Sequence, residues 1–292
     1  MEITYQSEYG ELKSLLLKHP QVAFRNEEYL ENNWQDLNYL AKPDYNKAIE
    51  EYEKFIEIFT SYNIDVQFLV NDDSTGMDSV YVRDAAITSN EGMLICNMGK
   101  AQRDGEPNAQ MQHYLQTGHS ILGTFESSTT IEGGDVAWLS ERVLAVARGY
   151  RTNDAAIVQL KELLKSTADE VIVMASPHYK GSDDVFHLMS VLSPVDKDLA
   201  VVYSPLMTVP FRERLLSMGI EFIEVPDEEF DTLGCNVLAI APRVCVMVSG
   251  NPITKSRLEK AGAQVIEFSG TEICLKGSGG PTCLTRPLVR IV

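Results

Sequence analysis

Gly134-Asp135-Val136-Ala137-Trp138 runs through Ser140-Glu141-Arg142 into Val143-Leu144-Ala145-Val146: an apolar strand, a polar turn and a second apolar strand. Three other stretches follow the same plan. Asp78-Ser79-Val80-Tyr81-Val82 precedes a Ser-Asn-Glu-Gly turn and Leu94-Ile95-Cys96. Asp184-Val185-Phe186-His187-Leu188 precedes Leu199-Ala200-Val201-Val202, and Cys235-Asn236-Val237-Leu238-Ala239 precedes Val244-Cys245-Val246-Met247. The anchoring valines Val80, Val136, Val185 and Val237 recur at intervals close to fifty residues. A divergent fifth copy runs from Leu275 through Cys283 to Val292.

Between the copies a helical pattern leads each time into an apolar strand. Tyr45–Tyr62 precedes Val66–Leu69, and Asn108–Gln116 precedes Ser120–Phe125. Asp154–Lys165 precedes Val171–Met174, Phe211–Met218 precedes Glu221–Val225, and Thr254–Ala261 precedes Gln264–Phe268. Phe211, Leu215 and Met218 lie on one helical face, and Gly219 reads as the stop. A unit of this size cannot bury its apolar face alone, and radial repetition solves that problem. Residues 1–292 therefore predict a single α/β domain built as a five-bladed propeller-like ring. An ordinary layered α/β protein with coincidental spacing is the alternative.

The bulk properties narrow the function. Lys plus Arg number 25 against 42 Asp plus Glu, a formal charge of −17. That balance argues against nucleic acid or an anionic membrane surface as partner and suits a small cationic substrate, although it also simply serves solubility. No run reaches the length of a membrane span, and Met1-Glu2-Ile3-Thr4 has no signal-peptide character, so the chain reads as cytoplasmic. Of the five cysteines, Cys96, Cys235, Cys245 and Cys274 sit in apolar patterns and read as structural. No Cys/His spacing suggests a metal site. The sequence is compatible with a homo-oligomer but does not specify one.

Polar residues interrupt the apolar hairpins at related places. Arg83-Asp84 follows the first copy, Glu132-Gly133-Gly134-Asp135 leads into the second, His187 lies inside the third, and Cys283 follows Gly279-Gly280-Pro281-Thr282. In a ring these positions converge near the axis. Taken singly, His187 reads as a core histidine, Cys283 as a buried thiol and the Glu-Gly-Gly-Asp run as a turn; their conjunction points to a site.

Tyr81-Val82-Arg83-Asp84, Glu132–Asp135, Gly149-Tyr150-Arg151-Thr152-Asn153, Phe186-His187-Leu188 and Gly279–Cys283 together resemble the motif series of the guanidine-modifying (amidinotransferase) superfamily. That superfamily comprises arginine deiminases, arginine–glycine amidinotransferases and dimethylarginine dimethylaminohydrolases. The resemblance runs from about Leu12 to the C-terminus and implies the pentein fold, in accord with the repeats. It implies Cys283 as nucleophile, His187 as general acid and base, and Glu132 as the acid that orients or polarises His187. It also implies Asp84 as the carboxylate that grips the guanidinium, Asp78 as a further substrate-contacting acid, and Arg151 and Arg103 as ligands of the substrate carboxylate. Arg151 and Arg103 also read as salt-bridge partners.

Two departures bear on the branch. His187 is followed by Leu188-Met189, where deiminases and transferases carry a pair ending in Asp; this favours the dimethylarginine branch. Arg83-Asp84 is nearer to the deiminase and transferase pattern. The implied chemistry is thiolate attack on the guanidinium carbon, proton transfer through His187 and hydrolysis of a covalent thiouronium, with no metal or organic cofactor. The readings that remain are a methylarginine hydrolase, a deiminase or amidinotransferase, and a non-catalytic pentein binding module like a ribosome-binding translation factor of this fold. Phe24–Leu40, with Trp34, reads either as a lid over the mouth or as a solvated helix.

Overall fold

The computed structural model describes residues 2–184 and 186–292; the anchoring Val185 lies outside them. The strands in chain order are β1 (Ile3–Thr4), β2 (Glu11–Leu17), β3 (Asp65–Phe68), β4 (Ala86–Ser89), β5 (Gly92–Ile95), β6 (Ile121–Thr124), β7 (Val136–Ser140) and β8 (Val143–Arg148). They continue with β9 (Glu170–Ala175), β10 (Leu192–Asp196), β11 (Leu199–Val202), β12 (Glu221–Glu224), β13 (Leu238–Ala241), β14 (Val244–Val248), β15 (Gln264–Phe268) and β16 (Arg286–Ile291).

Each blade is one repeat. β4 pairs antiparallel with β5, a helix at Glu106–Gln116 crosses over, and β6 returns parallel to β5. The same plan gives β7-β8-β9, β10-β11-β12 and β13-β14-β15, with crossover helices Asp154–Leu163, Val209–Ser217 and Pro252–Lys260. The crossover is helical because a parallel return needs a long connection, whereas the hairpin needs only a tight turn. Inner strands touch across blades, β7 with β10, β10 with β13 and β16 with β4. Inner strand β7 and middle strand β11 are covered on both faces, which is why Val136–Leu139 and Leu199–Val202 read as continuous apolar runs and are buried throughout.

The fifth blade differs from the predicted C-terminal copy. β16 is its inner strand, but its partners come from the other end of the chain: β2 antiparallel to β16, then helix Tyr45–Ser61, then β3 parallel to β2. β1 adds to the free edge of β16. The two termini close the ring in one sheet, so neither β2 nor β16 is left as an unpaired edge. Asp44 caps the closing helix by accepting from Lys47 N at 3.1 Å. Ala48, Tyr52, Phe55 and Phe59 are its buried stripe, and Phe55 and Phe59 meet edge to face. Truncating Phe55 to Ala would cost about 3–5 kcal/mol.

Three local readings are corrected. Met77–Val80 is a short 3-10 turn, and the first inner strand begins at Ala86. His187 is not inside a strand but caps the turn Leu188–Ser190, ahead of β10. Cys235–Val237 likewise precedes β13. In each case the polar residue lies just before the inner strand, because a strand buried on both faces has no room for it while the loop at its end opens to the axis. Gly219, at φ 80°, does end its helix. Among the described residues no helix is long and apolar enough to cross a membrane.

Candidate active site

The loops at the starts of the inner strands surround one cavity of about 80 Å³, whose walls include Asp78, Asp84, Arg103, Arg151, His187 and Cys283. Glu132 lies behind His187, fully buried. All seven predicted site residues are thereby brought together. They come from three blades and from the C-terminal loop.

Glu132 is the hub. Its Oε2 lies 2.7 Å from His187 Nε2. Its Oε1 accepts from Gly99 N at 3.0 Å and Lys100 N at 3.2 Å, and both oxygens accept from Arg151 Nη1 at 3.3 Å. Burial works against the charge, but the His187 hydrogen bond and the charges of His187, Arg151 and Arg103 outweigh it and hold the Glu132 carboxyl well below the usual range. With Nε2 tied to Glu132, His187 turns Nδ1 toward Asp84 Oδ1, 3.8 Å away. Burial would depress the imidazole; Asp84, Asp135 and Glu132 prevail and push it up to about 9, so it rests as imidazolium at neutral pH.

Asp84 is fixed from both sides. Oδ1 accepts from Gly134 N at 3.0 Å, and Oδ2 accepts from Arg103 Nη1 at 2.6 Å. Arg103 places Nε and Nη2 on Glu106 and donates to Tyr81 O at 2.9 Å. Arg103 is thus committed to Glu106 and Asp84, and Arg151 reaches Glu132. Asp78 pairs with Lys100 Nζ at 2.7 Å.

Cys283 sits on a loop gripped from two directions. Asn236 Oδ1 accepts from Thr282 N at 3.0 Å and from Thr282 Oγ1 at 2.8 Å, and Asn236 Nδ2 points at Cys283 Sγ from 3.4 Å. Arg83 Nε donates to Thr282 O at 2.7 Å. Gly279 and Gly280 let the loop press on Tyr81 and Asn236, where any Cβ would collide. Burial and then Asp84 push the Cys283 thiol up, against Thr282, Asn236 and Arg83. It is the half-buried cysteine; the other four are buried.

Asp84, Glu132 and His187 each place a ligand atom within 4.8 Å of the others. These atoms are engaged with one another and with Arg103 and Arg151, whose positive charge opposes a metal ion.

Across the sulfur lies a second, larger chamber of about 360 Å³. Tyr179, Phe186, Met189, Phe230 and Leu233 supply its apolar wall, and Cys283 and His187 border both spaces. From the predicted lid segment, Leu37, Asn38 and Leu40 line the smaller cavity, with Leu37 O accepting from Lys100 Nζ at 2.9 Å.

The family model for eukaryotic N,N dimethylarginine dimethylhydrolase matches residues 20–290. The chain belongs to this family. It is similar to the uncharacterized protein YkgA of Bacillus subtilis, 29% identical over 287 residues that make up 98% of this chain and 94% of that one. It is also similar to the arginine deiminase of Mycobacterium avium, 29% identical over 244 residues, covering 72% of this chain but only 60% of the deiminase. The structure of dimethylarginine dimethylaminohydrolase from Pseudomonas aeruginosa, a Cys→Ser mutant complexed with citrulline, superposes with TM-score 0.77 at 21% identity. That comparison covers 94% of this chain and 98% of that one, and the shared fold is the pentein propeller.

The sequence reading missed four residues of this dimethylarginine dimethylhydrolase family member's site. Asn236 and Asp135 stand directly before the anchoring Val237 and Val136, so their matching place in the repeat was a usable signal. Asp135 accepts from Leu188 N at 3.1 Å and Thr152 Oγ1 at 2.6 Å, which fixes the turn after His187. Lys100 and Glu106 carry no such mark; only tertiary proximity reveals them.

Proposed function

We propose that this protein hydrolyses the guanidinium C–N bond of an N-methylated arginine, giving citrulline and methylamine or dimethylamine. The observation that carries this reading is the asymmetry about Cys283. One side is a small charged cavity matched to a guanidinium and an amino-acid end. The other is an apolar chamber matched to a methyl-bearing leaving nitrogen, with Met189 where a carboxylate would suit an unmethylated one. The match over residues 20–290 and the pairing of both chain ends in one sheet support residues 1–292 as one catalytic domain.

In this mechanism Asp84 binds the substrate cation beside the sulfur, and Asp78 adds a second negative charge. Arg151 faces the substrate carboxylate while Arg103 stays on Asp84 and Glu106; Lys100 exchanges Asp78 for the carboxylate. The bound cation favours ionisation of the otherwise neutral Cys283 thiol. The thiolate attacks the guanidinium carbon to give a tetrahedral adduct. His187, already protonated, passes its Nδ1 proton to the leaving amine as the C–N bond breaks, leaving an S-alkylthiouronium on Cys283. Nδ1 then takes a proton from water as the water oxygen attacks. The C–S bond breaks, citrulline forms and the thiolate returns. Glu132 holds the ring in position through both transfers.

Asp184 favours a second reading. It lines both spaces around Cys283 and supplies a carboxylate near the sulfur, as an arginine deiminase would use. Product analysis with arginine, N-monomethylarginine and asymmetric dimethylarginine, each without an amine acceptor, separates the readings. Citrulline with methylamine or dimethylamine supports the proposal; citrulline with ammonia from arginine alone replaces it with a deiminase. No turnover until glycine or another amine is added means a transferase.

A further inference from the structure

Behind the nucleophile loop, at the axis of the ring, three arginines are buried together. Arg286 and Arg290 lie on the inner strand β16, and Arg83 lies just before β4; their exposures are 3%, 1% and 1%. Arg83 Nη1 pairs with both oxygens of Glu8 at 3.3 Å. Glu8 also attracts Arg286 and Arg290, while the three arginines repel one another. Three guanidinium groups thus share one carboxylate. Burial first and then this repulsion pull Arg286 and Arg290 down to about 10, which still leaves both charged at neutral pH.

Their donors are not satisfied. Among the described residues no protein oxygen accepts from Nε or Nη2 of Arg286, from Nε or Nη2 of Arg290, or from Nη2 of Arg83. Buried charges and donors are normally paired, because each orphan forfeits its hydration without return. The N-terminal segment, which carries Glu8, is pinned beside the cluster. Gln6 Nε2 donates to Glu141 O and Thr167 O, Gln6 Oε1 accepts from Asn90 N, and Arg290 Nη1 is tied to Gly10 O. The result is a buried, doubly positive cluster with five unpartnered donor nitrogens, joined through Arg83 Nε to Thr282, the residue before Cys283.

We infer that Arg83, Arg286 and Arg290 form an internal anion site that takes a small inorganic anion of the halide class. The anion offsets half of the charge that Glu8 alone leaves over and accepts from donors that the protein does not satisfy. A halide suits the site better than an oxyanion, because Glu8 already places two carboxylate oxygens against the cluster and a larger anion would meet them. The site lies off the substrate path, and its role is to hold Arg83, and through Arg83 Nε the Thr282 carbonyl, in place.

The test uses the full chain, dialysed free of halide and titrated with sodium chloride against sodium gluconate at matched ionic strength. Thermal unfolding is expected to show a saturable rise of about 5 °C with chloride alone. Arg286→Met should remove that response. Glu8→Gln, which deletes a charge but no donor, should lower the half-saturating chloride concentration about tenfold. Crystals grown in bromide should show an anomalous peak between the three guanidinium groups of the unaltered protein. Superimposable chloride and gluconate curves, or a bromide map with only water among the arginines, would overturn the inference.

Discussion

His187 Nε2 lies 2.7 Å from Glu132 Oε2, and two backbone amides and Arg151 converge on the same carboxylate. This pair sets which imidazole nitrogen faces the cavity and which charge it carries. It binds two blades together through atoms that water does not reach.

Glu132→Gln removes one of the three carboxylate charges, after those of Asp84 and Asp135, that keep His187 protonated. His187 is raised from its ordinary 6.5 to about 9, so its pairing stabilises the fold fully below pH 6.5 and is lost as pH rises through 9. The shift corresponds to roughly 3 kcal/mol. In the variant the alkaline limb of the rate profile should move toward neutral pH, kcat should fall about 100-fold, and the stability advantage at pH 6 over pH 9.5 should shrink. Rate profiles and denaturant melts at both pH values check this; an unmoved alkaline limb would assign it to another group.

Cys283 is half-buried while Cys96, Cys235, Cys245 and Cys274 are buried. A thiol reagent under native conditions should modify Cys283 alone, slowly at pH 7 because burial and Asp84 keep the thiol neutral, and faster when a guanidinium compound is bound. Peptide mass mapping gives the site, and absorbance at thiolate wavelengths gives the ionisation. Cys283→Ala should abolish turnover and leave the unfolding midpoint nearly unchanged.

Gly134→Ala tests how closely the backbone approaches His187 and Asp84. A Cβ there falls 2.5 Å from His187 Nδ1 and 2.6 Å from Asp84 Oδ1. The ring and the carboxylate must separate, and kcat/KM should fall at least 100-fold. A variant with unaltered kcat/KM would mean that this juxtaposition has no part in turnover.

Asn236→Ala removes both contacts that Asn236 makes to the Cys283 loop, the acceptor for Thr282 and the donor toward Cys283 Sγ, and leaves Arg83 as its remaining grip. The Cys283 thiol should rise further, because Asn236 is among the groups that lower it, and kcat should drop more than KM changes. Thiolate titration distinguishes this from simple loosening, which would leave the ionisation where it was.

The repeat of strand, turn, strand, helix and strand was legible because each unit is short, local and strongly periodic. The helices and outer strands fall within a few residues of their sequence positions. Local pattern failed at Asp78–Val82 and around His187, where apolar side chains line turns at the axis instead of strands. Composition cannot separate a buried loop from a buried strand. The conjunction of Asp84, Glu132, His187 and Cys283 was visible because the repeat ties distant positions to one axis.

The sequence alone therefore determined the five-fold repeat, the family resemblance and the residues that gather around the Cys283 sulfur. The tertiary structure decided the rest. It showed that the last blade draws β2 and β3 from the N-terminus, that Arg103 serves Asp84, that Lys100 and Asn236 belong to the site, and that three arginines share Glu8 inside the ring. These facts depend on which buried charges find partners. Pairing over such sequence distances is a property of packing, which no local window of residues contains.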